Sequence, residues 1–237
     1  MKRIAHIART GEEELALMAH FADRNGIVLE NLGLEGLPLP EDLSNCDGVI
    51  ILGNPRGSQR PAFHDRIFDL VREAVKTNLP VLGISGGARL LAEICRDSVD
   101  AGIAGAGFWS SFRFTEEGRK DTLFFGLSDS CTLYREYGDA LVLPPGATVI
   151  AVDNRGLPVA FRYGNAYGLD FALPRARCLS GNEQISGTGV EDTDEDQACR
   201  DLLSLVRTIL GNFLWLTELC RASRPDRGQG DAKPAAL

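Results

Sequence analysis

Histidine is scarce in this sequence: His6, His20 and His64 are the only three, so no imidazole follows residue 64. Cysteine pairs are missing as well. Cys46, Cys95, Cys131, Cys178, Cys199 and Cys220 lie far apart with no C-x-x-C spacing, a usage expected of reduced, mostly buried thiols in a cytoplasmic protein. Basic charge is in deficit, 25 Lys and Arg against 33 Asp and Glu, for a formal charge of -8. That balance excludes a general nucleic-acid surface, which needs a basic patch to neutralise phosphates. No run approaches the ~18 apolar residues of a membrane span, and residues 1–7 are too short and polar for a signal peptide. No internal repeat or mid-chain linker is visible. What is there is an ordinary globular composition, 44% hydrophobic and 24% charged over 237 residues, enough for one generous domain.

The first hundred residues alternate between strand and helix patterns. Ile4 to Ile7 reads as a strand, and Glu12, Glu13 and Glu14 suit a helix start, where acids meet the positive end of the dipole. Leu15, Met18, Ala19 and Ala22 recur at helical spacing up to Asn25-Gly26. Ile27 to Leu29, Asp47 to Gly53 and Leu79 to Ile84 read as further strands. His64 to Asn78 and Gly87 to Arg96 read as helices. Uninterrupted apolar strands alternating with helices predict a parallel sheet covered on both faces. After Asp100, short aromatic and β-branched segments at 107–114, 131–135, 147–152, 158–163 and 166–171 predict antiparallel strands and hairpins. A last helix is expected over about 196–219. The acidic run 191–196 reads as a solvated loop feeding that helix rather than a metal site. The polar, Gly/Pro-rich tail 222–237 reads as disordered.

Ligand chemistry is expected at the carboxyl ends of the parallel strands. Two loops stand there: Gly53-Asn54-Pro55-Arg56-Gly57-Ser58, and the turn Gly83-Ile84-Ser85-Gly86-Gly87. A strand that enters a helix through Gly-x-Ser-x-Gly presents its central side chain on a tight bend, with backbone N–H groups at the helix start ready for an oxyanion. A hydrolase of this type orders its triad Ser, then Asp or Glu, then His. All three histidines precede Ser85, so that mechanism fails on chain order, and a serine without a base is a poor nucleophile.

Several segments resemble class I glutamine amidotransferase domains. Asp47-Gly48-Val49-Ile50-Ile51-Leu52-Gly53-Asn54-Pro55 is similar to their strand and Gly-Gly-Pro loop. Pro80 through Ala92 is similar to their Pro-Val-Leu-Gly-Ile-Cys-x-Gly-x-Gln-Leu-Leu-Ala elbow. Tyr134 to Asp139 resembles the aromatic-His-Gly-Asp segment, and Leu143 to Ala147 the Leu-Pro-x-Gly turn. Tyr167-Gly168-Leu169-Asp170-Phe171 falls where those domains carry Tyr-Gly-Val-Gln-Phe-His-Pro-Glu, and Asn212-Phe213-Leu214 resembles a motif near their C-termini. The resemblance implies an α/β, flavodoxin-like fold over residues 1–221: a mostly parallel central sheet with helices on both faces, plus a C-terminal antiparallel strand region. It also implies that Ser85 replaces the nucleophilic cysteine, Ala172 the histidine base, Pro174 the orienting glutamate and Arg89 a glutamine-contacting Gln. Losing thiol, base and orienter together would remove the covalent glutaminase mechanism.

Three functional classes remain open on these residues. One is a non-catalytic amidotransferase-like subunit, similar to the amidotransferase domain of GMP synthase, that keeps a pocket for a small ligand and serves a separate synthetase chain. Another is an enzyme that has turned Ser85 and the Gly53 and Gly86 amides to different acyl chemistry. The third is a pure scaffold. The expected ligand-binding positions are Gly53, Asn54, Gly86 and Arg89. Arg89, about one helical turn past Ser85, either reaches the pocket to meet a small anion or makes a surface salt bridge. His6 and His64 are the candidates for a substitute base. Cys95, Phe108 and Trp109 are read as packing residues. No metal or cofactor is expected.

Overall fold

A computed structural model describes residues 1–8, 12–32, 39–53, 61–96, 104–137, 140–173 and 194–222. Its first strand, β1 (Lys2–Ala8), leads into α1 (Glu12–Arg24), β2 (Ile27–Asn31), β3 (Gly48–Leu52), α2 (Pro61–Lys76), β4 (Val81–Ile84) and α3 (Gly86–Arg96). Then follow β5 (Ala104–Phe114), a short α4 (Glu116–Lys120) with a 3-10 turn at Thr122–Phe124, β6 (Ser130–Tyr137), β7 (Thr148–Asp153), β8 (Pro158–Tyr163) and β9 (Ala166–Leu169). The chain returns over the sheet in α5 (Asp194–Ala222). The expected helix thus begins earlier and runs later, taking in Asp194 to Asp196 of the acidic run. The tail 223–237 and Pro174 lie outside the described residues.

The described strands form one sheet in the order β2-β1-β3-β4-β9-β8-β7-β5-β6. The ladders from β2 to β9 are parallel and those from β9 to β6 antiparallel. The expectation for 166–171 needs correcting here, because that segment is not simply part of an antiparallel meander. Strand β9 lies parallel to β4 and antiparallel to β8, which makes it the seam between the two halves.

Alternation decides which helix covers which face. Ile4, Ala8, Ile50, Leu52, Leu82 and Ile84 point to a core shared with Met18 of α1 and with Leu202, Val206, Ile209 and Phe213 of α5. Ala5, Ile7, Val49, Ile51 and Val81 point the other way, against Ile67, Leu70 and Val71 of α2 and Leu90 and Leu91 of α3. A sheet buried on both faces explains why β1, β3 and β4 read as continuous apolar runs.

Helix α5 bears on the expectation that no run approaches the apolar length of a membrane span. Its stretch Gln197–Ala222 is long and apolar enough by length and composition, yet 56% of its most apolar window is buried inside the protein. Polar ties fix it to the fold: Asn212 Nδ2 donates to the carbonyls of Leu123 and Phe125 at 2.9 and 2.8 Å, and Lys2 pairs with Glu218 at 2.6 Å.

The cysteines bring a further correction. Cys199 is disulfide-bonded, whereas Cys46, Cys95, Cys131 and Cys220 are not in disulfides. Wide spacing is thus no guide to a fully reduced set, because separation along the chain carries no information about distance across a fold.

Candidate active site

Glycine makes the elbow possible. A Cβ on Gly83 would lie 2.5 Å from the Gly87 carbonyl oxygen, and one on Gly87 only 2.1 Å from that of Ile51. With both side chains absent, α3 starts directly against β3 and β4. Ser85 takes the bend in the left-handed region, φ 54°, where a non-glycine residue costs about 1–2 kcal/mol. The strain is held from both sides. Ser85 N–H donates to the Leu169 carbonyl at 2.8 Å, and its own carbonyl accepts from Ala88 and Arg89 at 3.0 and 3.4 Å. At the neighbouring strand end Gly53 also has positive φ, 70°. Asn54 lies outside the described residues.

The antiparallel half brings the rest of the site to this turn. In a flat sheet β6 would stand five strand spacings from β4, roughly 24 Å at ~4.8 Å each. Instead the sheet curls back on itself. The segment after β9 runs beside β6, with Ala172 N–H donating to the Tyr134 carbonyl at 2.8 Å and Arg135 Nε donating to the Asp170 carbonyl at 3.3 Å. This closure carries Glu136, at the end of β6, to the elbow. Ser85 Oγ donates a 2.6 Å hydrogen bond to Glu136 Oε2.

Behind that pair runs a buried ladder of charges. Arg89 Nε and Nη2 donate to the two oxygens of Asp170 at 3.3 and 3.1 Å. Arg135 Nη2 donates to Asp170 Oδ2 at 2.6 Å and Nη1 to Asp153 Oδ2 at 3.2 Å. Arg155 closes the line on Asp153 at 2.9 Å. Arg135, Asp153 and Asp170 are at most 1% exposed, so each charge depends on its partners. Burial pushes the Asp153 carboxyl up, but hydrogen bonds from Leu157 N–H and from Arg155 outweigh it and hold the group below its ordinary 3.8. The Arg135 guanidinium also lies over the Phe108 ring, 5.8 Å from its centroid.

Arg89 is thus neither at the surface nor turned to an empty pocket; it is 7% exposed and bound to Asp170. Ala172 is buried at 2% and presents a methyl group where the resemblance implies an imidazole. His6 does not approach Ser85. Its Nδ1 lies 2.8 Å from Asn31 Oδ1 on β2, on the side of β1 away from β4. That oxygen can only accept, so Nδ1 carries the proton and Nε2 is left as a buried acceptor without a partner. Burial lowers the His6 pKa below its ordinary 6.5. His64 falls in the first turn of α2, and its side chain lies outside the described residues. Cys95 packs against the α2/α3 core, and burial pushes its thiol up to about 12. Trp109 meets Tyr134 edge-on across the β5–β6 ladder at 5.4 Å. Among the described residues no group of three or more His, Cys, Asp or Glu side chains is placed to hold a metal.

Glu136, Asp170 and Asp153 were not singled out from the sequence. Asp170 had a signal, since it stands where the resemblance expects Gln. Glu136 had none, because only the closure of the sheet brings residue 136 to residue 85.

No family model matches the sequence. The glutamine-hydrolyzing GMP synthase of Porphyromonas gingivalis is 30% identical over 125 residues, 52% of this chain and 24% of that enzyme. The chain therefore spans about a quarter of the length of the curated relatives it matches. Among solved structures, a glutamine amidotransferase from Thermotoga maritima superposes with a TM-score of 0.69 at 22% identity, covering 90% of this chain and 98% of that one. A glutamine amidotransferase from Methylobacillus flagellatus gives 0.69 at 17%, covering 97% and 98%. A protein from Thermoplasma acidophilum, described as one subunit of a GMP synthase, gives 0.60 at 18%, covering 94% and 96%. With its flavodoxin-like sheet and glycine-tight elbow, the chain has the fold of these glutamine amidotransferases and shares sequence with part of a GMP synthase.

Proposed function

We propose that this domain does not hydrolyse glutamine and serves as a binding subunit of a cytoplasmic biosynthetic enzyme. The observation that carries this reading is the contrast within the site. The elbow is tight and strained like a nucleophile turn, but position 172 offers a buried methyl and position 85 a hydroxyl. A serine hydroxyl holds its proton far more firmly than a thiol, and glutaminase chemistry by the resembling family needs a thiolate and an imidazole together.

The ligand-binding positions proposed from the sequence fare differently under this reading. Gly53 and Gly86 stand at the strand ends where a small molecule would lie. Asp170 already supplies the negative charge that Arg89 would have sought, so an anionic ligand would have to displace it. A synthetase encoded as a separate chain is the proposed partner, supported by the likeness to one component of a GMP synthase.

Glutamate release from glutamine tests the reading. The wild type is expected to give none above background, and neither is Ser85→Cys, because Ala172 still supplies no base. Ser85→Cys combined with Ala172→His is expected to gain measurable turnover. Robust hydrolysis by the wild type overturns the reading.

A further inference from the structure

Ser85 lacks an imidazole, yet it has a base within reach. We propose that Ser85 and Glu136 form a carboxylate-assisted serine nucleophile that accepts acyl groups from small activated esters or thioesters. The Ser85 hydroxyl donates to Glu136 Oε2 at 2.6 Å, in the 2.5–2.7 Å range of charge-assisted O–H···O⁻ bonds. The proton therefore already points at its acceptor, and the oxygen lone pairs face away from it. The backbone at Ser85 is held at φ 54°, a cost that a residue serving only to fill a turn would avoid by being glycine. At the start of α3 the Ala88 and Arg89 N–H groups are taken by the Ser85 carbonyl. Gly86, the residue after the nucleophile, has no intrahelical acceptor, and its amide is the donor for a developing oxyanion.

The reaction balances with water as the only co-reactant. Ser85 Oγ bonds to the acyl carbon while its proton passes to Glu136, and the carbonyl π pair moves onto the oxygen facing the Gly86 amide. Collapse expels the alkoxide or thiolate, which takes the proton from Glu136. Water then gives a proton to Glu136 and attacks the same carbon. Ser85 leaves with that proton, and the products are a carboxylic acid and an alcohol or thiol.

The surroundings limit the substrate. Ser85 is 7% exposed, so the acyl group must be slim. Arg89 and Arg135 are committed to Asp170 and Asp153, so an anionic acyl chain would have to displace one of those pairings. A carboxylate is a weaker base than an imidazole, which favours leaving groups that depart as stable anions over amide nitrogens.

This goes beyond the absence of glutaminase chemistry and stands or falls separately from it. A fluorophosphonate probe is expected to leave one adduct, mapped to Ser85 by intact mass and peptide sequencing, and Ser85→Ala to abolish it. Glu136→Gln, shown folded by far-UV circular dichroism, is expected to slow labelling by about 10²-fold or more, and Glu136→Asp by less. The wild type is also expected to release a burst of p-nitrophenolate from p-nitrophenyl acetate. No adduct on Ser85, no burst, or labelling of Glu136→Gln as fast as the wild type overturns the proposal. Glutamate release from glutamine, measured alongside, bears only on the preceding reading.

Discussion

His6 shows how one atom can set the acid response of a protein. Its ring is 1% exposed and neutral, with the Nδ1 proton given to Asn31 and Nε2 without a partner. Protonating Nε2 would bury an uncompensated charge, which is why the folded pKa lies below the ordinary 6.5. A histidine with a lowered folded pKa binds its proton more readily in the unfolded chain. Stability is therefore expected to fall as pH drops below about 6.5. Asp153 acts in the same direction but lower: its folded pKa lies under 3.8, so its contribution disappears as pH falls through and below that value. Urea midpoints at pH 7.5 and 5.5 check the first window. His6→Gln, which can still donate to Asn31, is expected to reduce the difference between them. Neither group could be placed from sequence, since the periodicity that buries β1 does not reveal which neighbour a polar side chain finds.

At the scale of elements, the junction of β4 and α3 is the most constrained feature. Gly87→Ala would drive a methyl into the Ile51 carbonyl oxygen, and backbone atoms on both sides leave little room to yield. The substitution is expected to cost about 1–3 kcal/mol or more, read as a lowered melting temperature, whereas Gly126→Ala meets nothing within 4 Å and is strained only by its φ of 82°. This junction was also the most legible part of the sequence. An apolar strand, two flanking glycines and an amphipathic helix each have a local signature, and together they located the elbow to the residue. The seam at β9 was less legible: Ala166 to Leu169 is short and apolar, and such a run looks the same with a parallel or an antiparallel neighbour.

For the whole molecule, the decisive feature is the ladder Arg89–Asp170–Arg135–Asp153–Arg155 joining α3, β6, β7 and the segment after β9. Removing Arg135 leaves Asp170 and Asp153, both buried, each with one guanidinium partner fewer. Arg135→Leu is expected to destabilise the protein by about 3–5 kcal/mol, seen as a loss of denaturant midpoint. Adding Asp153→Asn, which removes one of the two carboxylates that lost Arg135, is expected to recover part of that loss, a non-additivity that a double-mutant cycle measures. Arg89 stood out singly in the sequence and Asp170 carried a signal, but nothing there linked them into a network whose members are spread from residue 89 to residue 170. The resemblance supplied the frame; the charges that fill it had to be found in three dimensions.

The curl that returns β6 to the elbow has a consequence for the order of folding. Ser85 and Glu136 are 51 positions apart, and contacts that close long loops generally wait for the intervening strands to pair. The turn at residue 85 can form early from local segments, but its hydroxyl gains a partner only once β5 to β9 have assembled and wrapped. Reactivity at Ser85 would then serve as a built-in reporter that the last long-range strand contacts have been made.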